Sequence, residues 1–267
     1  MDKTFTYDGG TLYYRDEGSG EPLLLVHGFA EDGAIWDKVA AELRSDCRLL
    51  IPDLPGSGRS SLPANTMSME SMAAALKNLL DQEGIDRCVL IGHSMGGYIT
   101  LAFAALYPER VKAFGLFHST AYADSEEKKA GRQKSIAFIR QHGAAPYIRQ
   151  STPNLFAPET QERSPELIEE MIRRYAGFSP ASLCACLEAM MQRPERLSVL
   201  EQFDGPILFV IGERDQVIPL EQSLRQCHLP RVSLVHILPT SGHMGMLEDA
   251  EAGGRIIQSF LNFIVPL

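Results

Sequence analysis

Short apolar runs that alternate with segments of helical spacing restrict this chain more than any other feature. The runs fall at 22–26, 48–51, 88–91, 113–117, 207–211 and 232–238, and each reads as a buried strand. Between them, residues 34–43 place Ile35, Val39 and Leu43 at helical intervals. Residues 68–83 put Met69, Met72, Leu76, Leu79 and Leu80 on one helix face, and 95–107 reads as a helix stopped by Pro108. Upstream, residues 3–16 alternate as a hairpin around Asp8, Gly9 and Gly10, and residues 247–264 close the chain as one helix. Strands of this kind, separated by helices, predict an α/β fold: a mostly parallel, doubly wound sheet covered on both faces.

Residues 119–200 break the pattern. They carry no clear strand and hold helical segments punctuated by Pro146, Pro153, Pro158, Pro165, Pro180 and Pro194. Ser164 before Pro165 and Ser179 before Pro180 have the form of helix caps with proline at the first helical position. The expected organisation is a core of residues 1–118 and 201–267, with a helical cap of residues 119–200 inserted after the sixth strand.

Composition narrows the function. A net charge of −9 opposes binding to nucleic acid and to an anionic membrane surface, since both draw on clustered Lys and Arg. No apolar run approaches the ~18 residues that a membrane span needs. Five cysteines, with no C-x-x-C pair and a polar start to the chain, predict reduced thiols in a cytoplasmic protein without a signal peptide. The Cys and His spacings make no zinc site, and Gly18-Ser19-Gly20 is a turn rather than a dinucleotide loop. No cofactor and no metal are implied.

The segment Gly92-His93-Ser94-Met95-Gly96-Gly97 fits G-x-S-x-G between an apolar strand and a small-residue helix. A sharp strand-to-helix turn there would hold Ser94 in a strained conformation and lift its oxygen to the carboxyl edge of the sheet. A serine is a weak nucleophile and needs a base. Of the seven histidines, His243 lies in a loop after the last strand and before the last helix, which also emerges at the carboxyl edge. His118 follows a strand at that edge and is a candidate pocket wall. A base of this kind needs a carboxylate to fix its tautomer. Asp215, just past the strand at 207–211, is the first candidate; Glu213 and Asp124 are its rivals. Acyl transfer also needs donors to a developing oxyanion. The backbone N–H groups of Met95 and Phe29, the latter in the loop His27-Gly28-Phe29-Ala30, are the expected pair.

With these motifs in place the chain resembles the α/β-hydrolase superfamily, within its small capped serine esterases and lactonases. The resemblance rests on His27-Gly28-Phe29, on Asp53-Leu54-Pro55-Gly56-Ser57-Gly58-Arg59-Ser60, on the Ser94 turn, and on the Asp215 and His243 segments, which span nearly the whole chain. It implies that residues 119–200 are the variable cap, and that Asp53 and Gly58 organise a structural loop. It implies a serine hydrolase of the carboxylesterase type, cleaving an ester, thioester or lactone through an acyl-enzyme on Ser94. The alternatives are an enol-lactone or C–C bond hydrolase and a cofactor-free perhydrolase or haloperoxidase. Relatives with aspartate at the turn are set aside by Ser94, and an intact triad argues against a non-catalytic receptor.

The expected partner is a small ester-type molecule; a homodimer is left open. Within the cap, Leu183, Leu187, Met190 and Met191 form an apolar stripe expected to contribute to the pocket roof. Arg132, Arg140, Arg149, Arg173, Arg174 and Arg193 sit among polar neighbours and are expected to be solvated. A preference for uncharged small to medium esters over anionic lactones follows.

Overall fold

The structure, a computed structural model, describes residues 1–7 and 10–264. Eight strands form one sheet: β1 (Asp2–Tyr7), β2 (Gly10–Gly18), β3 (Glu21–Val26), β4 (Cys47–Pro52), β5 (Cys88–His93), β6 (Val111–Phe117), β7 (Ile207–Gly212) and β8 (Ser233–Leu238). Their spatial order is β1-β2-β4-β3-β5-β6-β7-β8. β1 and β2 pair antiparallel, as do β2 and β4, and every later pair is parallel. The chain is therefore α/β with a mostly parallel sheet. The predicted hairpin is present, while Asp8 and Gly9 of its turn lie outside the described residues.

Burial explains why the central strands are apolar throughout. Every residue of β5 and β7 is buried, because helices cover both faces. Each large apolar side chain that leaves water this way contributes about 1.5–3 kcal/mol. The edge strand β8 has one face open, and Val235 and Ile237 there are exposed. The helix Met69–Gln82 buries the apolar positions read from the sequence, and Ser68 caps it by accepting from Ser71 N.

The sheet order also fixes where a ligand can bind. From β3 the chain steps outward to β4, then returns to lay β5 on the other side of β3. The carboxyl ends of β3 and β5 therefore flank a topological switch point, where α/β sheets open a crevice. The loop carrying Phe29 leaves β3 at this point, and Ser94 leaves β5.

Two helices differ from expectation. The stretch at 34–43 begins as a single-turn 3₁₀ helix, Gly33–Trp36, before the α-helix Asp37–Leu43. The closing helix is broken into Gly245–Glu248 and Ala250–Ile264. Asp249 leaves the helical conformation, and its side chain accepts from Ala252 N at 3.4 Å, so it ends one helix and starts the next.

Residues 119–200 contain no strand. They fold as helices Glu126–His142, Ala144–Ser151, Pro158–Arg163, Pro165–Tyr175 and Pro180–Gln192, followed by Leu197–Gln202. Pro165 and Pro180 do open helices; Ser179 accepts from Ser182 N, whereas Ser164 makes no side-chain cap. No helix among the described residues is long and apolar enough to cross a membrane.

Candidate active site

Ser94 sits between β5 and the helix Met95–Leu106 with φ +50° and ψ −115°. The turn is tight enough that a Cβ on Gly96 would lie 2.3 Å from Val26 O, so only glycine lets the helix approach β3. Ser94 N donates to Phe117 O at 3.0 Å, and Ser119 Oγ donates to Ser94 O at 2.7 Å. These bonds from the end of β6 hold a backbone conformation that a non-glycine residue resists. Among the described residues, Ala30, Ser94 and His118 are the non-glycine residues with positive φ. They follow β3, β5 and β6 at the same sheet edge, and strain of this kind gathers where geometry is imposed for function.

His243 and Asp215 meet at that edge. His243 Nδ1 lies 2.7 Å from Asp215 Oδ2. A carboxylate only accepts, so Nδ1 carries the proton and Nε2 is left with a lone pair. The other oxygen, Asp215 Oδ1, accepts from Val217 N at 2.8 Å and Ile218 N at 2.9 Å. Burial pushes the Asp215 pKa up, but the adjacent His243 and these hydrogen bonds outweigh it, and the carboxyl stays below its ordinary range. Ser94 Oγ and His243 Nε2 share no hydrogen bond among the described residues.

The rival acids are otherwise engaged. Asp124 is fully buried between Arg132 Nε at 2.5 Å and Arg193 Nη1 at 2.9 Å. Glu213 is exposed, 3.9 Å from Arg214. The expectation that Arg132 and Arg193 are solvated is thereby corrected. Both are drawn inward by the buried Asp124, and the Arg193 guanidinium stacks 3.8 Å from the Tyr98 ring centre. Arg140 and Arg174 remain substantially exposed. Leu183, Leu187 and Met190 are buried, and Met191 is half-buried.

The loop after β3 is fixed by its own histidine. Leu54 N donates to His27 Nε2 at 2.9 Å, so the ring proton is on Nδ1, which donates to Gly28 O at 2.8 Å. In a trans peptide the carbonyl and the next N–H point in opposite directions. The Phe29 N–H is therefore turned away from His27. The Phe29 ring packs edge-on to Tyr147, with centres 6.3 Å apart. Asp53 accepts from Gly33 N and Arg59 N, tying its loop together.

Three further residues take part: His118, read from the sequence as a candidate pocket wall, and Glu248 and Glu31, which sequence reasoning missed. His118 is buried, its Nδ1 accepts from Gly212 N at 2.9 Å and lies 3.7 Å from Asp215 Oδ2. Burial pushes its pKa down to about 3, so it is a neutral ring packed behind the acid loop. Glu248 Oε1 accepts from Gly242 N and Met244 N, while Oε2 accepts from Ala157 N and Thr160 Oγ1. Together with His243 N donating to Leu155 O at 2.7 Å, it ties the His243 loop to the helical segment. Glu31, fully buried beside His93, is the third. Among the described residues no cluster of three or more His, Cys, Asp or Glu side chains is arranged to hold a metal ion.

Residues 21–134 match the family model described as alpha/beta hydrolase fold. The chain is 29% identical over 263 residues to a 2-hydroxy-6-oxo-2,4-heptadienoate hydrolase of Pseudomonas putida, covering 92% of this chain and 91% of that protein. It is 31% identical over 262 residues to the dihydrolipoyllysine-residue acetyltransferase component of an acetoin cleaving system from Pseudomonas putida, covering 95% of this chain and 67% of the other. Among solved structures it resembles a thermophilic esterase from Thermogutta terrifontis, with malate bound, at a TM-score of 0.93 and 29% identity over 99% of both chains. The chain belongs to the α/β-hydrolase family, and it is an enzyme of that superfamily.

Proposed function

We propose that this hydrolase cleaves carboxylic esters through an acyl-enzyme on Ser94, with His243 as base and Asp215 as its orienting acid. The observation that supports this most is the 2.7 Å His243–Asp215 contact at the sheet edge where strained Ser94 emerges. In the first step Ser94 Oγ attacks the carbonyl carbon and His243 Nε2 takes its proton. The imidazolium returns that proton to the leaving alcohol as the C–O bond breaks. Water, deprotonated by the same ring, then releases the acid. The N–H groups of Phe29 and Met95 are the proposed donors to the oxyanion, each typically worth about 3–4 kcal/mol in the transition state. Residues 119–200 are proposed as the cap over this centre. A fluorophosphonate should label the protein once, on the Ser94 peptide, and Ser94→Ala should abolish both labelling and turnover of p-nitrophenyl butyrate. Stoichiometric labelling elsewhere would remove the assignment.

A second reading, hydrolysis of a carboxylate-bearing enol lactone or C–C substrate, is favoured by Arg132 and by the likeness to a 2-hydroxy-6-oxo-2,4-heptadienoate hydrolase. Arg193 is buried, with Nη1 on Asp124 and Met190 O and Nη2 on Tyr122 O, which supports a structural role. Arg132 binds Asp124 through Nε and Nη2, which leaves Nη1 without a partner among the described residues. The two guanidinium groups share one carboxylate, which leaves one positive charge over. If that charge reads substrate, Arg132→Met should cut kcat/KM for an anionic lactone at least tenfold while leaving a butyrate ester within about threefold. Equal effects on both substrates would assign Arg132 to structure.

A further inference from the structure

The residue before the proposed nucleophile is a histidine that is completely buried. His93 Nε2 lies 2.9 Å from His243 O, and its Nδ1 lies 3.1 Å from Glu31 Oε2. Glu31, 1% exposed, also accepts from Gly28 N at 2.7 Å through the same oxygen. Both ring nitrogens of His93 therefore face oxygen. A neutral imidazole has one N–H, so it would set a lone pair against a lone pair at one of these contacts. The geometry requires one additional proton, shared between His93 and Glu31.

That shared proton joins three segments that are remote in sequence. His93 is bonded covalently to Ser94. Its Nε2–H holds the carbonyl of His243. Its partner Glu31 holds the amide of Gly28, directly before the Gly28–Phe29 peptide. Gly28 itself is pressed against the pair: a Cβ there would sit 2.8 Å from His93 Nδ1 and 3.0 Å from Glu31 Oε2. We propose that Glu31 and His93 are positioning residues that, by sharing one proton, keep the oxyanion loop, the nucleophile and the base loop in register. The proposal rests on the Ser94–His243–Asp215 reading given above.

The surroundings keep the proton in place. His93 faces Glu31 from the loop after β3, His243 from the loop after β8 at 4.9 Å between ring centres, and His118 from the end of β6 at 6.3 Å. Asp215, from the loop after β7, adds a more distant negative charge, and Trp36 and Phe117 cover the ring with aromatic edges. His27 is the other titratable group near Glu31. Burial opposes a charged ring, but the Glu31 carboxylate and the His243 carbonyl outweigh it and raise the His93 pKa. Burial likewise opposes the Glu31 carboxylate, and His93 outweighs it, so the Glu31 pKa is lowered. A raised histidine pKa means that the clamp is complete below that value and is lost as pH climbs through it. The enzyme should therefore lose kcat on the alkaline side, separately from the acid-side loss that any histidine base produces.

The test replaces the counter-charge and reads the pH profile. In Glu31→Gln the imidazolium loses its carboxylate, so the alkaline limb of kcat should move to lower pH by at least one unit. At the plateau kcat should fall about ten- to a hundredfold, from misplacement of reacting groups, with KM within about threefold. A loss of kcat with both limbs in place would reduce Glu31 to a packing role and overturn the proposal, as would a profile like that of the parent. Should the variant fail to fold, ¹⁵N-histidine spectra of the unaltered protein decide the matter. Both His93 nitrogens should show the shifts of protonated nitrogens at pH 7, where an ordinary histidine is largely neutral; a proton on one nitrogen alone would overturn the clamp. These spectra report on His93 whether or not Ser94 proves to be the nucleophile, so failure of the clamp and failure of the triad are separable.

Discussion

Asp215→Asn isolates what the carboxylate does for His243. The side chain is anchored from behind, because Oδ1 accepts from Val217 N and Ile218 N. An asparagine keeps those bonds by placing its oxygen there, which turns its NH₂ group toward His243 Nδ1. Two donors cannot face each other, so the ring must shift its proton to Nε2. The nitrogen proposed to take the Ser94 proton is then already protonated. Where this tautomer error has been imposed on serine triads, kcat falls about 10⁴-fold, equivalent to roughly 5.5 kcal/mol at about 1.36 kcal/mol per decade. The assay is kcat for p-nitrophenyl acetate at pH 8 beside urea denaturation. Stability should change in a defined way. The Asp215 carboxyl has a folded pKa below its unfolded value of about 3.9. Its ionised form therefore stabilises the fold above that pH, and the contribution is lost as pH falls through the lower folded value. The parent should lose stability below about pH 4 more steeply than the variant. Turnover within tenfold of the parent would show that this carboxylate does not set the His243 tautomer.

Two further substitutions test the links around the site. Asp124→Asn should destabilise the protein by about 3–5 kcal/mol in urea, because Arg132 and Arg193 then share no carboxylate and Arg193 stays buried; a loss under about 1 kcal/mol would mean that both guanidinium groups reach water. Glu248→Gln puts an NH₂ against one of two donor pairs, Gly242 and Met244 N–H or Ala157 N–H and Thr160 Oγ1. It should cost about 1–3 kcal/mol and speed proteolytic cleavage between residues 152 and 164, whereas unchanged cleavage would show that the segment is held by other contacts.

The central strands were legible because they are buried on both faces and so are apolar without interruption, as in β5 and β7. The helix Met69–Gln82 was legible from its own periodicity and its serine cap. The break at Asp249 was not, because apolar spacing continues across it and only the side-chain bond to Ala252 N marks the new start. At the site, Ser94, Asp215 and His243 stood out because loop position and local glycines accompany them. The arginines were misread for a different reason. A charged residue among polar neighbours looks solvated until its partner is known, and Asp124 lies 69 positions from Arg193 in sequence. The same distance hid Glu31, which meets His93 across 62 positions, and Glu248, which reaches Ala157 across 91. Buried polar pairs are chosen by the fold, and no local pattern announces them.

The proposed cycle stands on a covalent acyl-enzyme on Ser94. Its most direct test is rapid acid quench of the enzyme within its first turnover of p-nitrophenyl butyrate, followed by intact mass and peptide mapping. The protein should gain the mass of one butyryl group, carried by the peptide that contains Ser94 and absent from Ser94→Ala. A burst of p-nitrophenol with the acyl group on another residue would contradict it.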